Sequence, residues 1–232
     1  MTWLSFCARR PGPEWKTGYG TGDRTLAQIE GVVDHSMEGT LAGAYTVLDG
    51  PEQSSWTFSL PKVGEPVQHY SLQKIPWHAG LPGDRKQDTS LIGNLTLAGK
   101  EHEGKAGEPW TANQVYWSAK IDVAVRALCP AFGANPPTLR RNMWEHRWLS
   151  ATSCPSGRNP WNAKFALINE WEDDMLTLEE IKGLLERHAD SYVLPKVEKI
   201  VKRQLEALPS GGGLTAEETI EANQEAARRG TS

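Results

Sequence analysis

TANQVYWSAKIDVAVRAL, residues 111–128, reads as a long amphipathic helix, and its setting among short strands decides the fold class. Thr111 can cap the helix, and Gln114 three residues later completes a reciprocal capping-box pattern. Apolar residues recur at Trp117, Ile121, Ala124, Val125 and Leu128, spacings that predict one buried helical face. Asp122 falls off that stripe and is expected to face solvent. Pro130 closes the helix.

Working outward from this helix, the flanking segments read as strands. Gly31-Val32-Val33-Asp34-His35 is a short apolar run ending at polar residues, the signature of a buried strand. Residues 54–60, SSWTFSL, alternate apolar and polar. Val67–Leu72 follows a turn at Lys62–Glu65, and LIGNLTLAGKE, residues 91–101, reads as another strand or a pair interrupted by glycines. Strands alternating with a long helix predict an α/β domain that ends near Trp161.

The predicted organisation has four parts. Residues 1–26 are polar and Gly/Pro-rich and are expected to wrap over a core. Residues 27–165 form the α/β domain. Residues 176–208 form a helical extension opened by a second capping box, Thr177 with Glu180, and split by Pro195. Residues 209–232 are a linker and flexible tail, beginning Pro209-Ser-Gly-Gly-Gly. The extension is expected to pack on the α/β domain or to self-associate with a second copy of the chain.

Composition narrows the function classes. The chain has 232 residues, 38% hydrophobic and 23% charged, as an ordinary globular protein does. Its net charge of -4 lacks the basic surplus of a nucleic-acid-binding protein, so no nucleic-acid partner is expected. No stretch approaches the ~20 apolar residues of a transmembrane helix. The N-terminal MTWLSFCARRPGPEW has no apolar core of a secretory signal, which places the protein in the cytoplasm as an expectation. Three cysteines, Cys7, Cys129 and Cys154, are too few and scattered for a disulfide framework. Most of the ten tryptophans should serve the core, although Trp56, Trp77, Trp144, Trp148 and Trp161 stand beside polar clusters where an aromatic wall would suit a sugar or peptide.

Chemistry-bearing residues are few. His35 ends the apolar strand, His146 lies in WEHRW, and Cys154 follows eight positions later. A lone histidine on a strand is more often a satisfied core residue than a ligand. Two histidines and one cysteine nevertheless suit catalytic zinc, which takes three protein ligands and leaves a fourth position for water. Spacing alone leaves both readings open.

Four strings, in order, extend the reading: EGVVDHSMEG (30–39), IPWHAG (75–80), GKEHEG (99–104) and WEHRWLSATSCPSGRNPW (144–161). Together they resemble the type 2 N-acetylmuramoyl-L-alanine amidase family, the fold shared by phage amidase lysins and peptidoglycan recognition proteins. The resemblance spans Gly31 to Trp161 and implies a central mixed β-sheet flanked by helices. It implies one zinc ion per chain held by His35, His146 and Cys154, with Glu101 as general acid and base and Thr152 donating to the oxyanion. Trp56, Trp77 and His78 would contact substrate, which would be bacterial peptidoglycan cut between muramic acid and L-alanine. Arg158, just after CPSG, reads equally as a contact to a peptide carboxylate of the wall stem or as part of a structural salt bridge.

The sequence departs from that family at three places. Trp56 stands where many lytic members carry tyrosine, Thr152 where some carry lysine, and Lys100 where an aliphatic residue is usual. Lys100 is expected to reach solvent or to pair with a neighbouring acid. Glu38 reads equally as a partner orienting His35 or as a solvated loop acid. Glu103 reads as a surface or backbone-capping residue and His102 as structural, with His69 and His188 facing solvent and Cys7 and Cys129 packing. Three functions follow from the resemblance: a lytic amidase acting once the host membrane is breached, a peptidoglycan-binding protein with weak or no activity, and a muropeptide-recycling amidase. The GKEHEG string and the tail favour the first.

Overall fold

A computed structural model of the chain describes residues 1–18, 22–80 and 93–174. Packing divides the chain into Met1–Trp171 and Glu172–Ser232. Beyond the end of one helix, the second unit lies outside the described residues, and with it the expected helices of 176–208, the linker and tail of 209–232, and His188.

Six strands build one mixed sheet: β1 (Ala8–Arg9), β2 (Gly31–Ser36), β3 (Phe58–Leu60), β4 (Val67–Gln68), β5 (Leu97–His102) and β6 (Met143–Glu145). Their spatial order is β1-β4-β3-β5-β2-β6. β2 has β5 and β6 as parallel neighbours, β3 runs parallel to β5, and β3 and β4 are antiparallel. All six residues of β2 are buried. A parallel strand covered on both faces ordinarily reads as continuous apolar sequence. Here it ends Asp34-His35-Ser36, so each of those polar groups needs a partner inside the protein.

The N-terminal segment does more than wrap. β1 pairs with β4 in the sheet, Leu4 and Cys7 enter the main core, and Lys16 and Arg24 are buried. That core lies between Val32, Phe58, Leu60 and Ala98 of the sheet and the helices α2 (Ala112–Leu128), α3 (Pro130–Gly133) and α4 (Trp161–Asp174). Cys7 and Cys129 are packing residues of it, as expected.

α2 starts as its sequence predicts. The Thr111 side chain accepts from Gln114 N, and the Gln114 side chain accepts from Thr111 N in return. Its buried face is wider than expected. Ile121 and Val125 are buried and Trp117 and Ala124 pack against the core, but Leu128 is 39% exposed, and the row Gln114, Ser118, Asp122, Arg126 is buried as well. Asp122, expected in solvent, has no exposure at all. Each member of this row is satisfied: Gln114 donates to the carbonyls of Leu60 and Glu103, and Arg126 to those of Phe132 and Asn135.

Three α-helices among the described residues had no forecast in the sequence, the four-residue α3 among them. α1 (Leu41–Asp49) is capped by Thr40, whose side chain accepts from Gly43 N. Glu103 fills the backbone-capping role expected of it, accepting from Leu41 N at 3.1 Å and from Lys62 N at 2.9 Å. α4 begins at the point where the α/β domain was expected to end. No helix among the described residues is long and apolar enough to cross a membrane.

Candidate metal centre

Parallel alignment of β2, β5 and β6 brings three carboxyl ends to one edge of the sheet, the place where open α/β sheets characteristically bind ligands. Register then selects the side chains. His35 on β2 lies opposite Glu101 on β5, and Asp34 opposite Glu145 on β6, so His146 emerges level with His35. Cys154 arrives from the loop beyond, where its carbonyl accepts from Arg147 N at 2.7 Å.

His35, His146 and Cys154 thus converge, each offering a ligand atom, with all three atoms within 4.8 Å of one another. The His35 and His146 rings lie 4.5 Å apart between centroids. Cys154 Sγ is 3.9 Å from His35 Nδ1. Zinc–nitrogen and zinc–sulfur bonds of about 2.0–2.3 Å in a tetrahedron separate ligand atoms by roughly 3.6 Å. The donor set and its spacing therefore fit zinc.

Glu101 stands beside this group, with Oε1 3.9 Å from His35 Nδ1. Its Oε2 is buried and has no hydrogen-bond partner among the described residues. Burial, with a smaller push from the charge of Glu38, raises the Glu101 carboxyl to about 8. Burial also keeps His35 well below the ordinary histidine range, reinforced by the neighbouring His146 and His78, so the ring is neutral and able to ligate. The Cys154 thiol is pushed up to about 12 by burial first and Glu101 second, against a lowering hydrogen bond from Ser36 N at 3.2 Å. A cation at the site reverses that balance, because a coordinating thiol gives up its proton.

The remaining expected site residues fall into two groups. Thr152 is exposed, and its hydroxyl oxygen accepts from Cys154 N at 3.2 Å, which leaves the O–H proton to donate outward. Trp77 is half-buried, with its indole N–H on the Gly18 carbonyl. The other three are turned inward. Trp56 is buried, and its indole N–H donates to Ser59 Oγ at 2.8 Å rather than to a substrate oxygen. Ser59 Oγ in turn lies 2.9 Å from His69 Nε2, which corrects the expectation that His69 faces solvent.

Arg158 is also committed to the protein. Its guanidinium donates to the Glu108 carbonyl at 2.7 Å, to Ser36 Oγ at 2.7 Å and to the Glu103 carbonyl at 2.9 Å. Gly104, at φ 127, admits this arrangement, since a Cβ there would lie 2.2 Å from the guanidinium. Arg158 therefore ties the Cys154 loop to the ends of β2 and β5, its guanidinium buried against the protein. His78 is buried and bonded to His35, not turned to a groove. Glu38 takes the second of its two readings, an exposed loop acid, and accepts from Ala106 N and Ser156 Oγ, each at 2.9 Å.

Beneath the site, on the opposite face of the sheet, lies a cluster that sequence reading missed. Lys100 and Lys164 lie between Asp34 and Asp122, all four side chains fully buried. Lys164 Nζ is 2.6 Å from Asp34 Oδ2 and 2.8 Å from Asp122 Oδ2, and Lys100 Nζ is 2.9 Å from Asp34 Oδ1 and touches Asp122 Oδ1. Lys100 thus pairs with acids, one of the two fates expected of it, and those acids are not Glu101. His102 is structural, as expected: its Nδ1 lies 3.0 Å from the His35 carbonyl.

A scan of protein-family models and a search of curated proteins found no match to this sequence. Solved structures do match. A crystal structure of a selenomethionine AmpD derivative is similar at 20% identity and a TM-score of 0.54, over 72% of this chain and 96% of that one. The solution structure of the PlyG catalytic domain is similar at 14% identity and a TM-score of 0.50, over 71% and 93%. The chain has the fold of these two structures, a mixed sheet with flanking helices as expected from the sequence.

Proposed function

We propose that the protein is a zinc-dependent N-acetylmuramoyl-L-alanine amidase of the lytic type, cutting the amide between the lactyl group of muramic acid and L-alanine in peptidoglycan. The observation that carries this reading is the convergence of two imidazoles, one thiol and the buried Glu101 carboxyl beside the carboxyl ends of adjacent parallel strands. The shared fold with AmpD and the PlyG catalytic domain supports it.

His35, His146 and Cys154 would hold the ion, which when bound supplies a Lewis acid and a water acidified toward a pKa of about 7. Glu101 then performs the proton transfers. The charge of the bound ion would favour the ionised form of Glu101 over the protonated form that burial favours. The carboxylate would take a proton from the attacking water as the oxygen–carbon bond forms, and return it to the alanine nitrogen as the carbon–nitrogen bond breaks. Without that return the leaving group would be an amide anion. Thr152 donates its O–H to the carbonyl oxygen as charge develops there. The Trp56 indole takes no part, because its one donor is spent on Ser59.

The test is digestion of insoluble peptidoglycan by the purified chain, with and without chelator, following new amino groups and new reducing sugars separately. The reading requires amino groups alone to rise, and chelator to stop them. Release of reducing sugars would overturn it. Cleavage confined to soluble muropeptides would assign the chain to recycling, and binding without cleavage to recognition.

A further inference from the structure

His35 has two ring nitrogens, and only one faces the other ligands. Nδ1 lies toward Cys154 Sγ and Glu101 Oε1, each at 3.9 Å. Nε2 points away, 3.0 Å from His78 Nδ1. On the far side of the second ring, His78 Nε2 lies 3.3 Å from the Leu97 carbonyl oxygen. A carbonyl oxygen can only accept, so the chain of bonds has a single polarity when both rings are neutral. His78 Nε2–H donates to Leu97, which leaves His78 Nδ1 with a lone pair. That lone pair accepts from His35 Nε2–H, which leaves the His35 lone pair on Nδ1, facing the cluster.

The His78 ring is held in place from three sides. Asn94 Oδ1 accepts from both His78 N at 2.8 Å and Ala79 N at 2.7 Å, fixing the backbone that carries the ring. Gly99 on β5 leaves the space the ring occupies, since a Cβ there would lie 2.7 Å from His78 Cγ. The two rings meet edge to face at 82°, with centroids 5.1 Å apart. His78 of WHAG, 43 residues from His35 in sequence, and Gly99 of GNLTLAG therefore meet behind His35.

We infer that His78 is a positioning residue for His35, fixing the tautomer that presents Nδ1 to the metal. The inference rests on the zinc reading above for its purpose, while the hydrogen-bond relay stands on the geometry alone. Partners behind a ligating histidine fix its tautomer and orientation, and their loss typically weakens metal binding about 10–100-fold.

The experiment compares the wild-type chain with His78→Phe, which keeps an aromatic ring and removes the acceptor, and His78→Asn, whose amide oxygen stands near the position of Nδ1. Zinc affinity is measured by competition with a chromophoric chelator. The His35 tautomer is read from long-range proton–nitrogen NMR spectra of the zinc-free protein. The expected results are an Nε2–H tautomer in the wild type, about 10–100-fold weaker zinc binding with mixed tautomers in His78→Phe, and recovery of most of the affinity in His78→Asn. A folded His78→Phe with wild-type affinity and an unchanged tautomer overturns the inference. So does an Nδ1–H tautomer of His35 in the wild type, a result that needs no variant to fold. Failure of the wild type to bind zinc would instead overturn the amidase reading and leave the tautomer measurement to judge the relay.

Discussion

Replacing Lys164 with methionine tests whether the buried charges under the site are as dry as they look. Methionine keeps most of the stem and deletes the ammonium, which sits 2.6 Å from Asp34 and 2.8 Å from Asp122. Two cations facing two anions become one cation facing two anions, with all side chains fully buried. Removing one partner of a buried ion pair costs about 3–5 kcal/mol, a large part of the ~5–15 kcal/mol that holds a domain folded. The sign of the pH dependence follows. Burial alone would raise the Asp34 carboxyl, but Lys100 and Lys164 outweigh it and hold the group below its ordinary range. Its contribution is fully present above the unfolded pKa of about 3.9 and is lost only as pH falls through the lower folded value. The wild type should therefore show no loss from this group between pH 5 and 8. In the variant the excess negative charge raises the folded carboxyl pKa, so the penalty grows as pH rises, by up to about 1.4 kcal/mol per unit. Urea denaturation at several pH values would measure both. Adding Asp122→Asn to Lys164→Met restores neutrality and should recover stability despite the second change. A loss under ~1 kcal/mol that is flat with pH would refute the reasoning, because a hydrated cluster would behave that way.

Three other outcomes are expected. Glu101→Gln should keep its zinc, measured by elemental analysis, and lose at least ~100-fold in turnover on peptidoglycan, since the amide cannot carry the proton; activity near the wild-type level would remove Glu101 from the chemistry. Thr152→Ala should lose on the order of 100-fold in turnover while retaining metal, whereas Cys154→Ser should lose most of the metal itself. Equal metal loss in the two would count against the separate roles given them. Gly99→Ala, with its new Cβ 2.7 Å from the His78 ring, should displace that ring and weaken zinc binding without touching a ligand; unchanged affinity by chelator competition would show that the ring has room to move.

What the sequence made legible was local or was carried by resemblance. The Thr111–Gln114 capping box is a contact between residues three apart, so the pattern and the structure coincide. The apolar start of β2 is equally local. The meeting of His35 with Cys154 is a contact between residues 119 apart, and no spacing rule supplies it. Resemblance did, through the order of four strings. What stayed hidden was polar residues on buried faces. α4 presents Trp161, Lys164, Phe165, Ile168 and Trp171 at helical spacing, an inward stripe interrupted only by a lysine. Read as apolar periodicity, Lys164 breaks the stripe and the helix disappears. The same misreading put Asp122 in solvent, because its partners come from β5 and α4 and leave no trace in α2 itself. His78 was matched to a groove position by motif, but its direction is set by His35, and that of Arg158 by Ser36, partners far along the chain; Trp56 bonds to Ser59 of its own string.

These hidden residues bear on why the site has the register it has. Side chains alternate along a strand, so His35 and Glu101 share one face of the sheet while Asp34 and Lys100 share the other. A slip of β2 or β5 by one residue exchanges the two sets. It would turn Asp34 or Lys100 toward the metal face and drive His35 or Glu101 among Asp122 and Lys164. An apolar residue at 34 or 100 would tolerate such a slip at the cost of packing alone. A charge whose partners wait on α2 and α4 does not, since it would leave uncompensated charge in the core at several kcal/mol. The charge cluster therefore fixes which face of each strand looks at the metal centre, and the alignment of His35 with Glu101 is a consequence of where Asp34 and Lys100 find their partners.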